Sequence, residues 1–113
     1  MSMRTARSQV LGGQVWGIGA SLREASDIDP RFGGFLNANF AAYHIAANAD
    51  IGDYTADFIN QADTVFNETG AKGLGEVCTI GVAGAVANAI FHATGRRFRK
   101  LPIMLDDFHA DTA

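Results

Sequence analysis

Gly70-Ala-Lys-Gly-Leu-Gly-Glu76-Val-Cys-Thr79-Ile80-Gly-Val-Ala-Gly-Ala-Val-Ala-Asn-Ala-Ile-Phe-His-Ala-Thr94-Gly95 is a glycine loop that runs into an alanine-rich segment. Thr79 suits a helix N-cap and Gly95 suits the left-handed position after a helix end. The spacing predicts a helix over 80–94 with the loop 70–76 at its entry. Gly70, Gly73 and Gly75 leave backbone N–H groups uncovered, free to face an anion. Glu76 follows them directly. A carboxylate on a tight, glycine-framed turn has what a general base needs: proton affinity, fixed position and close access. The same pattern suits a plain helix entry whose glutamate complements the helix dipole. The order Gly-x-x-Gly-x-Gly is neither a dinucleotide fingerprint nor a P-loop.

Upstream, Ser8 to Ala25 reads as a second helix, with Ser8 as N-cap and Val10, Leu11, Val15, Ile18 and Leu22 at helical spacing. Gly12, Gly13, Gly17 and Gly19 interrupt it, each costing about 1 kcal/mol relative to alanine. Such a helix needs another backbone or a ligand packed closely against it. Ser26 to Gly34 is turn material. Phe35 to Ala47, Tyr54 to Asn60 and Arg96 to Ile103 read as short strands, the middle one alternating Tyr54, Ala56, Phe58 against Thr55, Asp57, Ile59. The expected fold class is α+β: two main helices packed on a small sheet of short strands. The expected organisation is a tail over 1–6, one body over 7–107 and a tail over 108–113.

At 113 residues, 48% hydrophobic and 19% charged, the chain is one domain at most and too apolar for disorder. A net charge of −3 gives no reason to expect nucleic acid as a partner. One cysteine makes no internal disulfide. No uninterrupted apolar run approaches membrane-spanning length, so no membrane partner is expected. Met1-Ser2-Met3-Arg4 is not followed by an apolar stretch, so no signal peptide is expected either.

Lys72 could contact a phosphate, pair with an acid or stay solvated. Cys78 reads as a buried, inert thiol rather than a nucleophile. His44, His92 and His109 lack zinc spacing, so no metal site built from side chains is expected. Arg96, Arg97, Arg99 and Lys100 alternate with Phe98 and Leu101 as the outer face of a strand would. Gln9, on its own, is a first-turn residue with a solvated amide.

Three blocks together resemble the C-terminal end of the molybdenum-binding subunit of the xanthine dehydrogenase / aldehyde oxidase family. They are Gln9-Val-Leu-Gly-Gly-Gln-Val-Trp-Gly-Ile-Gly19, the Gly70–Glu76 loop, and Ile80–Gly95 followed by Arg99-Lys-Leu-Pro-Ile103. The segment from Asn39 to Ala49 is similar to the family's stretch between the blocks. The resemblance implies that the fold is a subdomain of a molybdopterin-binding domain. It implies that Glu76 is the glutamate facing the molybdenum as general base, that Gln9 hydrogen-bonds the pterin, and that Leu74 and Gly75 line the cofactor. The complete enzyme would carry molybdenum-molybdopterin, with the cytosine dinucleotide form left open. Iron–sulfur clusters and FAD would lie on other domains or subunits, and nothing is expected to bind the isolated fragment.

The purine-oxidising branch of the family has two prolines after the glutamate, where this chain has Val77 and Cys78. The resemblance is therefore closer to the bacterial aldehyde-oxidising branch. It implies an aldehyde or N-heterocycle as substrate. Its implied partners are the remainder of the molybdenum-binding subunit and the iron–sulfur and flavin subunits. The expected compartment is the cytoplasm, or the periplasm if a partner subunit carries an export signal. The family's subunit is several times longer, so the chain reads as a fragment that is inactive alone and prone to self-association. The alternative is a stand-alone, non-enzymatic interaction or assembly module with the same fold.

Overall fold

The computed structural model describes residues 2–59, 61, 63 and 65–109. Two α-helices organise them: α1, Met3–Leu22, and α2, Val82–Thr94. Short 3₁₀ turns stand at Asn48–Asp50, Val77–Thr79 and Leu105–Phe108.

α1 starts at Met3 rather than at Ser8. Thr5 Oγ1 donates to the carbonyl of Ser2 at 2.9 Å, and the Ala6 N–H donates to the same carbonyl at 3.0 Å. Ala6 is buried, so residues that read as a loose tail belong to the helix. Ser8 has cap chemistry, but the chain before it has no turn residue to stop a helix.

The glycines of α1 divide by what they meet. A Cβ on Gly17 would stand 2.6 Å from Cβ of Val82, and one on Gly13 would stand 3.2 Å from Cβ of Cys78. These two let α1 lie against α2 and the turn before it. A Cβ on Gly12 would meet nothing within 4 Å.

α2 begins two residues later than expected, with Gly81 as its cap. Thr79 lies in the preceding 3₁₀ turn, where its hydroxyl donates to the carbonyl of Glu76. Gly95 ends the helix as the sequence predicts, at φ +73°, with its N–H on the carbonyl of Phe91 at 2.7 Å. Val82, Ala83, Val86, Ala87 and Ile90 make a half-buried face, while Gly84, Ala85, Asn88 and Ala89 are exposed. The 18 residues from Val77 to Thr94 have a mean hydropathy of 1.5, apolar enough by composition for a membrane span. Only 13 of them form the α-helix, which is about 20 Å long against the roughly 30 Å of a bilayer core.

Between the helices the backbone is held by side chains. Asn37 accepts from the Asp27 N–H at 3.0 Å and donates to the Ala25 carbonyl at 2.6 Å. Asp29, itself buried, binds Arg31 through both carboxylate oxygens. Tyr43 donates its hydroxyl to Glu24 at 3.1 Å, and Arg23 pairs with Asp50 at 2.6 Å. Among the described residues the single β-bridge joins Ile28 to Phe35, and the three stretches expected as strands run as irregular backbone. Alternation survives in part: Ala56 and Phe58 are covered while Thr55, Asp57 and Ile59 are exposed. Asn60, the last residue of that expected strand, and 110–113 of the expected tail lie outside the described residues.

The core is small. Among the described residues its buried apolar side chains are Ala6, Ala56 and Ile103. Fully buried Ser21 ties α1 to Ile103: its Oγ donates to Gly17 O at 2.5 Å, and its carbonyl accepts from Ile103 N at 2.7 Å. Phe32, Phe40, Ile59 and Ile80 are 81–91% exposed. The surface area is 9069 Å², against about 6,000 Å² for a compact protein of this mass. The radius of gyration is 18.1 Å, against about 13 Å for a compact chain of this length.

Candidate functional site

Leu74 to Val77 forms a tight turn, with the Val77 N–H on the Leu74 carbonyl at 3.2 Å. Gly75 takes φ +38° there, a conformation in which a side chain is strained. The turn therefore needs glycine at that position. Glu76 stands next to it, at the start of the 3₁₀ turn Val77–Thr79. Its carbonyl takes the Thr79 N–H at 3.0 Å, and its side chain is exposed.

Gln9 reaches this turn from α1. Its Nε2 donates to the Gly75 carbonyl at 2.9 Å. Residues 66 positions apart thus meet, and Gln9, Leu74, Gly75 and Glu76 come together in one place. The remaining N–H and the carbonyl oxygen of the Gln9 amide are available to a ligand, because a glutamine has two donors and an acceptor with two lone pairs. Cβ atoms on Gly73 and Gly75 would meet nothing within 4 Å, so these two glycines of the loop face open space.

Two of the sequence alternatives are decided here. Glu76 precedes α2 as expected, but five residues ahead of its cap Gly81, with the 3₁₀ turn Val77–Thr79 between them. The macrodipole of α2 falls off within its own first turn and so gives Glu76 little. Lys72 pairs with Asp63, Nζ to Oδ2 at 2.9 Å. The lysine beside it holds the Asp63 carboxyl below the usual carboxylate range, helped by the backbone N–H groups of Phe66 and Val65. Asp63 drew no notice in the sequence, where it sits in a plain polar stretch with nothing to mark its partner.

Cys78 is half-buried against Gly13 and lines a groove of about 560 Å³ between α1 and α2 with Gln14, Ile18 and Tyr54. Among the described residues no three His, Cys, Asp or Glu side chains stand close enough to hold a metal ion. The basic run is partly engaged with rings: the Arg97 guanidinium lies 3.7 Å from the Phe91 ring centroid, and Arg96 lies 5.5 Å from that of Phe98.

No protein-family model matches the chain. It is 42% identical over 106 residues to the aldehyde oxidoreductase molybdenum-binding subunit PaoC of Escherichia coli K12, covering 94% of this chain and 14% of that subunit. It is 34% identical over 110 residues to the putative xanthine dehydrogenase molybdenum-binding subunit XdhA of the same strain, covering 92% of this chain and 14% of that one. The chain thus spans a small part of the length of the curated relatives it matches.

Proposed function

From the homology of this chain to a segment of the molybdenum-binding subunits of the xanthine dehydrogenase / aldehyde oxidase family, we infer that it is the C-terminal part of such a subunit and supplies the general base of its active site. The substrate proposed is an aldehyde or an N-heterocycle. The observation that carries the reading is the Gln9–Gly75 hydrogen bond, which sets the two family-like motifs side by side at Glu76.

The donor set fits the cofactor the family implies. An amide with hydrogen bonds to spare, an exposed carboxylate and open glycines suit a group bound by hydrogen bonds rather than through protein ligands to its metal. Gln9 would hold the pterin, with Leu74 and Gly75 beside it. The molybdenum cofactor supplies the two-electron oxidation, in either pterin nucleotide form. Glu76 would accept the proton that is released as an oxygen is delivered to substrate. The positive φ of Gly75 lets the backbone make the tight turn that carries the exposed Glu76.

The fold proposed is an α+β subdomain, with the stretches 54–59 and 96–103 pairing with strands of the preceding part of the subunit. Iron–sulfur and flavin subunits are the proposed partners. The chain alone is proposed to be inactive, because the remaining contacts to the cofactor lie outside it.

The experiment is Glu76→Gln in the complete enzyme. Molybdenum content should be unchanged and turnover should fall by about 10²–10⁴. Near-normal turnover would remove the role assigned to Glu76.

A further inference from the structure

The glycine loop before Glu76 is held by side chains from residues 63–72. Asn67 clamps Ala71 on both sides of its peptide: Nδ2 donates to the Ala71 carbonyl at 2.6 Å, and Oδ1 accepts from the Ala71 N–H at 3.0 Å. Thr69 Oγ1 donates to the same Oδ1 at 2.7 Å. Asp63 Oδ1 accepts the N–H groups of Val65 and Phe66, each at 3.2 Å, while its Oδ2 takes Lys72 Nζ. Gly70, at φ +63°, lets the chain fold back, with its N–H on the Asn67 carbonyl at 3.0 Å. Ala71 and Lys72 are therefore anchored next to one another. At the far end Gln9 holds Gly75. Gly73 and Leu74 bridge the two anchors.

We propose that Asp63, Asn67 and Lys72 are positioning residues for Glu76, clamping the start of the glycine loop as Gln9 clamps its end. A general base acts only within hydrogen-bond reach of its proton, and displacement by about 1 Å can cost about 100-fold in rate. Glycines at 70, 73 and 75 leave this loop free to move in the absence of ties. The Asp63–Lys72 pair lies at the surface, with Lys72 exposed and Asp63 half-buried, and such pairs contribute little to global stability. Its consequence is local: it removes the freedom of the backbone that carries Glu76.

The proposal rests on the general-base reading of Glu76, and the test separates the two. Asn67→Ala, Lys72→Met and Lys72→Arg are made in the complete molybdenum-loaded enzyme, beside Glu76→Gln. Turnover is normalised to molybdenum content, and hydrogen–deuterium exchange is followed on the peptide covering 65–76. Asn67→Ala and Lys72→Met should lower kcat by about 10- to 100-fold with KM within about twofold, and exchange in that peptide should quicken. Lys72→Arg keeps the ion pair and should restore kcat to within about threefold of the parent. Unchanged exchange, unchanged kcat per molybdenum, or an arginine variant as poor as the methionine variant overturns the proposal. If Glu76→Gln is inactive while Asn67→Ala turns over normally, the clamp fails and the base stands. If Glu76→Gln turns over normally, the base reading fails first.

Discussion

Val82 fills the space that a side chain on Gly17 would need. An added Cβ would stand 2.6 Å from Val82 Cβ and within 2.9 Å of both its methyl carbons. The contact sets how closely α1 approaches α2, and through α1 it sets where Gln9 meets Gly75.

Gly17→Ala should therefore destabilise the protein, by about 1–3 kcal/mol, the usual cost of overpacking a tight contact. Gly12→Ala, on the same helix but facing open space, should be neutral or stabilising by up to about 1 kcal/mol. Thermal unfolding followed by circular dichroism compares them. Equal effects at the two positions would contradict the packing assigned to Gly17.

Gln9→Met keeps the bulk of the side chain and removes the donor to the Gly75 carbonyl. The loss expected is one hydrogen bond, about 0.5–1.5 kcal/mol, and roughly a two- to tenfold fall in kcat/KM of the complete enzyme. Steady-state kinetics normalised to molybdenum content measures it. A variant indistinguishable from the parent would show that the turn at Glu76 holds without α1.

Asp29 gives the fold an acid-sensitive limb. Hydrogen bonds from the Arg31 side chain, and then from its backbone N–H, hold the Asp29 carboxyl below the usual range. A carboxyl depressed in the folded state stabilises above its unfolded value of about 3.9, and the contribution disappears as pH falls through the folded value. Asp29→Asn should flatten the dependence of the thermal midpoint on pH below about 4. NMR titration of the Asp29 carboxyl at its ordinary value would exclude this contribution.

The isolated 113-residue chain should self-associate and bind apolar dyes. Its surface is about one and a half times that of a compact protein of its mass, with Phe32 and Phe40 largely exposed. Sedimentation velocity tests this directly. A strictly monomeric, dye-silent chain would mean that these aromatics are covered within one copy.

The sequence by itself determined features that depend on short-range chemistry. Gly95 ends α2 because the left-handed position after a helix favours glycine wherever the chain is placed. The tight turn at Gly75 and the exposed Glu76 after it are legible for the same reason. Homology was legible too: the blocks around Gln9 and Glu76 carried the resemblance, and the chain is 42% identical over 106 residues to a molybdenum-binding subunit. Tertiary structure decided what depends on distant atoms. Four glycines in α1 look alike in sequence, yet Gly17 meets Val82 and Gly12 meets nothing, because only the placement of α2 tells them apart. Asp63 and Lys72 are nine positions apart, and it is the fold-back at Gly70 that makes them a pair. Periodicity in 54–59 marks one face for burial, but pairing needs a neighbouring strand, and hydrogen bonds between strands are a property of two segments, not one.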